Sequence, residues 1–116
     1  MLTENNRKDI LQGLLETIKS ISDIEYQRRA WILGRPPGTD FDETVNNYAP
    51  EAEGVLRDYK NFLISEAQFR ALKRFDEHFR SFWKENHWPP DFIDTPEWDE
   101  IVNMAKEVLA AFDYKG

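Results

Sequence analysis

Two histidines, 22 carboxylates and no cysteine are the raw material from which this 116-residue chain could build a reactive or metal-holding site. Without thiols there is no disulfide, no thiolate nucleophile and no zinc centre built on sulfur. His78 and His87 do not form the His-x-x-x-His pair that places two imidazoles on adjacent helical turns. His78, in "FDEHF", sits beside Asp76 and Glu77 and is expected on a solvated helix face, away from the phenylalanines. His87, Asp91 and Asp94 are hard-metal ligand types, and Asp91, Asp94 and Glu97 could supply oxygen donors to a cation. Pro89 and Pro90 nevertheless keep them off one helix face, and EF-hand spacing with its turn glycine is missing. This segment is expected to be a connector whose Asp and Thr residues cap the last helix. There is also no Gly-x-Ser-x-Gly elbow, no Ser/His pairing and no Gly-rich phosphate loop. No catalytic residue, metal ligand or cofactor is assigned, and an enzyme is not expected.

Charge is the more informative chemistry. The net charge of −7 repels phosphate backbones and anionic lipid surfaces and attracts cationic partners. Residues 36–56 carry Asp40, Asp42, Glu43, Glu51 and Glu53 with no Lys or Arg. Residues 88–105 add Asp91, Asp94, Glu97, Asp99 and Glu100, again with no Lys or Arg. If these two connectors meet at one end of the fold, they form a continuous negative surface suited to a basic protein. Trp31, Tyr48 or Trp88 could anchor its desolvated centre. The expected partner-binding residues are Trp31, Asp40, Asp42, Glu43, Tyr48, Glu51, Glu53, Asp91, Asp94 and Glu97. The plainer alternative is that these acids cap helix starts and keep the protein soluble. Arg70, Lys73, Arg74, Arg80 and Lys84 make a basic stripe, but Asp76 and Glu77 interrupt it. Pairs such as Lys73 with Glu77 read as helix salt bridges, so nucleic-acid binding is not expected.

The elements that must position these groups follow from periodicity and caps. Ile10, Leu11, Leu14, Leu15, Ile18 and Ile21 recur at three- and four-residue intervals, which predicts a helix from about Asn5 to Ile21. "SDIE" offers Ser22 as N-cap with Glu25 as its capping-box partner, opening a helix from Asp23 to Leu33 that Gly34 ends. "RPPG" forces a turn. Asp40 then caps a short helix from Phe41 to about Tyr48, and Pro50 starts another that runs to about Asn61. Ser65 and Gln68 form a capping box for the strongest helix, whose face of Phe69, Leu72, Phe75, Phe79, Phe82 and Trp83 extends to about Glu85. A second Pro-broken connector leads to "TPEW", with Thr95 as cap and Pro96 as first helical residue. The face that follows is Trp98, Ile101, Val102, Ala105, Val108, Leu109 and Phe112.

With 41% hydrophobic residues, eight Phe and four Trp, the chain has ample apolar material for one core. The expected fold is all-α, a single compact bundle of five to six helices over residues 1–116. No run approaches the ~18 apolar residues of a membrane span, and "MLTENNRKDI" lacks a signal's apolar stretch, so a cytoplasmic protein without membrane contact is expected.

"WILG", "FDETVNNY", "YKNFLISEAQFRALKRF" and "DFIDTPEW" together resemble a group of small, acidic, all-helical bacterial proteins loosely of the immunity type. The resemblance implies a non-enzymatic protein that neutralises a toxin in the cell producing it, and brings no catalytic residue with it. A regulatory or scaffold protein acting through an apolar groove or as a homodimer is the alternative.

Overall fold

A computed structural model describes residues 4–35 and 39–114. Its helices are α1 (Glu4–Ile21), α2 (Ile24–Gln27), α3 (Phe41–Arg57), α4 (Glu66–Glu85), α5 (Pro89–Phe92) and α6 (Pro96–Ala111), with no strand among the described residues. A π-helical turn, Arg28–Ile32, continues α2. The fold is the expected all-α bundle.

Four long helices run up, down, up and down. Helix α1 packs on α3 and α6, and α4 packs on the same two, so the four close a ring around one core. Each contributes one apolar face: Leu14, Ile18 and Ile21 from α1, Tyr48, Ala52 and Val55 from α3, Leu72, Phe75 and Phe79 from α4, and Trp98, Ala105 and Val108 from α6. The molecule measures 39 × 26 × 26 Å. One end holds residues 22–35 and 39–40 and the α4–α6 connector; the other holds the α3–α4 turn, the start of α1 and the end of α6.

Local chemistry starts the helices largely as read. The Asp40 side chain accepts from the Glu43 amide at 2.8 Å. Ser65 and Gln68 exchange both capping-box bonds, at 3.1 and 2.8 Å. Thr95 Oγ1 accepts from the Trp98 amide, with Pro96 in the first turn. Gly34, at φ +65°, closes the π-helical turn in a conformation that favours glycine. The turn expected at Pro36, Pro37 and Gly38 lies outside the described residues.

Three expectations change. Asp23 rather than Ser22 caps α2, accepting from the Tyr26 amide at 3.1 Å, while Ser22 Oγ donates to the Lys19 carbonyl at the end of α1. Residues 41–57 form one helix instead of two, with Pro50 inside it, and the helix ends at Arg57, short of Asn61. Pro50 costs the Asn46 carbonyl its helical donor, but both residues are exposed, where water can serve. Phe41, Thr44, Tyr48, Ala52 and Val55 meanwhile keep one buried face across it. Finally, the second connector contains the short helix α5.

Candidate functional site

The two acidic connectors lie at the same end. Phe41, first residue of α3, packs on Phe92 of α5 with ring centroids 5.0 Å apart, and Arg28 reaches Asp94 at 2.6 Å. Trp98 organises this end: its ring meets those of Trp31, Phe41, Phe79, Phe82 and Phe92 at 4.8–6.2 Å in tilted or edge-on arrangements. Such pairs add roughly 0.5–1.5 kcal/mol each beyond area burial. The aromatic cluster is the floor on which the acidic pole stands.

Six of the ten expected residues surround it. Asp40, Asp42 and Glu43 are exposed at the start of α3, Asp91 and Asp94 are exposed in and after α5, and Glu97 is exposed in the first turn of α6. The segments building this pole, residues 22–35, 39–43 and 84–100, contain eleven acidic and four basic side chains. Their net of seven negative charges equals that of the whole chain, so the rest of the protein is neutral overall.

Four expected residues stand elsewhere. Trp31 is 8% exposed, edge-on to Phe41 and Trp98, and belongs to the core. Its buried Nε1 has no hydrogen-bond partner among the described residues. Tyr48 is fully buried and donates to Asp76 at 2.8 Å. Neither can serve as a surface anchor. Glu51 and Glu53 lie ten or more residues along α3, about 15 Å from its start at the 1.5 Å helical rise. Glu53 accepts from Arg80 of α4 at 3.3 Å, and Glu51 faces Gly13 and Thr17 of α1.

Glu51 lies against Gly13. A methyl group at position 13 would come within 2.6 Å of the Glu51 carboxylate, the end of a flexible side chain that would have to swing aside. Partial burial, above all, pushes the Glu51 carboxyl above its ordinary pKa; Thr17 works against this and Glu16 adds to it. A raised carboxyl favours the folded state only below the unfolded pKa, and that contribution disappears as pH rises through the folded value. Glu51→Gln is therefore expected to stabilise the protein at pH 7, by less than about 1 kcal/mol for a group this exposed to solvent. Urea unfolding at pH 7 and near pH 4 measures it, and the gain should shrink at the lower pH.

Tyr48 gives a second pH effect. Burial, then the charge and hydrogen bond of Asp76, raise its phenol well above 10, with Arg80 opposing them. The neutral phenol is the folded form. Stability from this group is complete below the unfolded value and falls as pH rises above about 10, where the unfolded chain ionises first. Tyr48→Phe should lose about 1–2 kcal/mol at pH 7 through the bond to a carboxylate, and should flatten the decline above pH 10. Thermal unfolding between pH 8 and 11 reads both.

Between α4, α5 and the start of α6 lies a groove of about 340 Å³. Half-buried Phe82 supplies apolar surface above Phe92 and Ile101, which are themselves buried, and Glu85, Asp91, Glu97 and Glu100 surround the groove; no Lys or Arg lines it. His78 also faces it and donates from Nδ1 to the Arg74 carbonyl at 2.8 Å. His78 is exposed, on the polar side of α4 as the sequence implies. Trp88, 64% exposed, precedes α5 on the same pole, outside the groove's lining. Apolar surface ringed by carboxylates is what a Lys or Arg side chain meets well, its methylenes on the aromatic rings and its charged head among the acids. Glu85 is the residue that linear reading passed over. Its place three residues after Phe82 on α4 was the available signal, since i and i+3 share a helix face.

No group of three or more His, Cys, Asp or Glu among the described residues is arranged to hold a metal ion. Two arginines of the α4 basic stripe are held in ion pairs: Arg74 with Glu107 at 3.1 Å, and Arg80 with Asp76 at 2.9 Å and Glu53 at 3.3 Å. Lys73, expected to pair with Glu77, lies over the Phe69 ring at 6.0 Å. No described helix is long and apolar enough to cross a membrane. The chain matches no protein-family model, no curated protein and no solved structure.

Proposed function

We infer that the protein is a non-enzymatic binding module of the immunity or inhibitor type, acting in the cytoplasm, whose acidic pole engages a basic partner protein such as a toxin. The observation that carries this reading is the groove beside α5, with four carboxylates around an apolar floor and no basic residue in its lining. A basic segment would lay Lys or Arg stems on the half-buried Phe82 and place its charges among Glu85, Asp91, Glu97 and Glu100. Attraction of this kind accelerates encounter and is strongly salt-dependent. For a toxin that acts on nucleic acid, the surface covered would be the one that meets phosphates.

The test is affinity capture of the partner from native lysate, followed by binding measured against salt. Glu85→Lys/Glu100→Lys should weaken binding about tenfold or more. Asp9→Lys/Glu16→Lys, an equal change of net charge on exposed positions of α1 away from the groove, should have far less effect. Equal losses in both variants, or affinity indifferent to salt, would sink the reading. Trp88 and Leu33, 64% and 59% exposed on the same pole, favour the second reading of a scaffold that docks through apolar contacts. Salt-independent binding that Trp88→Ser abolishes would mark that outcome.

A further inference from the structure

Charge in this bundle is segregated along its length. Against the seven net negative charges of the acidic pole, residues 57–74, which form the α3–α4 turn and the first half of α4, carry five basic and two acidic side chains. Three large apolar side chains are strongly exposed among the described residues, and all lie at the ends. Leu33 and Trp88 are on the acidic pole, and Leu63, 82% exposed, is in the α3–α4 turn. Its neighbours Phe62 and Ile64 pack into or against the core, so Leu63 alone is turned out. It does so at φ +57°, a left-handed backbone that a leucine side chain rarely adopts.

We propose that the protein self-associates head to tail, the end formed by the α3–α4 turn and the basic first half of α4 of one copy seated on the acidic pole of the next with Leu63 against the groove beside α5. Lys60 and Arg70, both exposed, flank that leucine in sequence as Glu85 and Glu100 flank the groove, so charge and apolar surface match in the same contact. The two surfaces differ, which makes the contact heterologous; each added copy leaves a free head and a free tail, so the product is an open chain rather than a closed dimer. An end face 26 × 26 Å across offers at most about 700 Å² per copy, below the ~800 Å² per partner of stable complexes. The association is therefore weak and salt-sensitive. It rests on the reading of the acidic pole as a cation-accepting surface, and it would compete with a partner for that pole.

Sedimentation equilibrium of the full chain tests it. At about 10 mM salt, where the screening length is ~30 Å, the weight-average mass should climb above 13.8 kDa with concentration and not level at twice that value. At about 1 M salt, with a screening length of ~3 Å, it should return to the monomer. Two neutralising variants give the decisive result: a tail variant, Lys60→Gln/Leu63→Asn/Arg70→Gln, and a head variant, Glu85→Gln/Trp88→Ser/Glu100→Gln. Each alone should be monomeric at low salt with unchanged circular dichroism, and their equimolar mixture should stop at a heterodimer. A wild type that stays monomeric at low salt up to millimolar concentration overturns the proposal, as does a mixture that stays monomeric or a dimer that survives in both variants. If the wild type is monomeric yet still binds a basic partner in a salt-dependent way, only the self-association fails. Loss of both would remove the cation-accepting pole itself.

Discussion

Replacing Gln27 with leucine is expected to destabilise the protein by about 3–4 kcal/mol, although it swaps one fully buried side chain for another of similar size. The Gln27 amide joins three elements. Its Nε2 donates to the Ser20 and Ile21 carbonyls at 3.0 and 2.8 Å, two of the last-turn carbonyls that α1 cannot satisfy internally. Its Oε1 accepts from Nε1 of Trp98, on α6, at 2.9 Å. Leucine would leave the indole donor and the Ile21 carbonyl buried without these partners, and each such loss costs roughly 1–3 kcal/mol, partly offset by better apolar burial. Urea unfolding should show a lower midpoint at unchanged slope. Adding Trp98→Phe removes the orphaned donor, so the double variant should cost clearly less than the sum of the two single changes. Strict additivity would mean that the Gln27 to Trp98 bond contributes nothing.

Arg80→Met is expected to cost about 3 kcal/mol, because it strips a buried carboxylate of its counter-charge. Asp76 is 8% exposed, and Arg80 Nε lies 2.9 Å from both its oxygens. The same guanidinium donates to the Ala49 carbonyl at 3.1 Å and to Glu53 at 3.3 Å, and stands over the Trp83 ring at 5.2 Å. One side chain thus ties α4 to the middle of α3. Without it, Asp76 would retain only the Tyr48 hydroxyl of the partners seen here. An apolar replacement of the whole group, Tyr48→Phe/Asp76→Leu/Arg80→Met, should be less harmful than Arg80→Met alone, since breaking a buried pair costs more than never having one. A triple variant less stable than the single would show that the ion pair is net stabilising.

Both sites mark the boundary of what linear reading reaches. Gln27 carries no periodic or capping signal, and its importance arises from a partner 71 positions away. Asp76 looks like an interruption in a basic stripe, whereas it faces inward with Phe75 and Phe79 because Arg80, one turn on, and Tyr48, on another helix, make its burial tolerable. Pro50 misleads in the opposite direction. Proline rules are local, and the buried face of Tyr48, Ala52 and Val55 outweighs one lost backbone bond at an exposed position. Tyr48 and Trp31 were drawn to the surface by the acids near them in sequence, but large aromatic side chains next to apolar neighbours bury when the packing gives them rings to meet.

Helix content, the caps at Asp40, Ser65 and Thr95, and the single apolar face of α4 were determined by the sequence itself, because caps and 3.6-residue periodicity act over a few neighbouring residues. The separation of acidic from less acidic segments was equally legible, being a property of order along the chain. Only the tertiary structure decided that the two connectors share an end, that Glu85 joins Asp91, Glu97 and Glu100 around one groove, and that Glu51 and Glu53 face α1 and α4 instead. Those outcomes depend on which helices pack side by side. That choice is made by contacts such as Phe41 with Phe92 and Gln27 with Trp98, between residues whose separation in sequence carries no local signature.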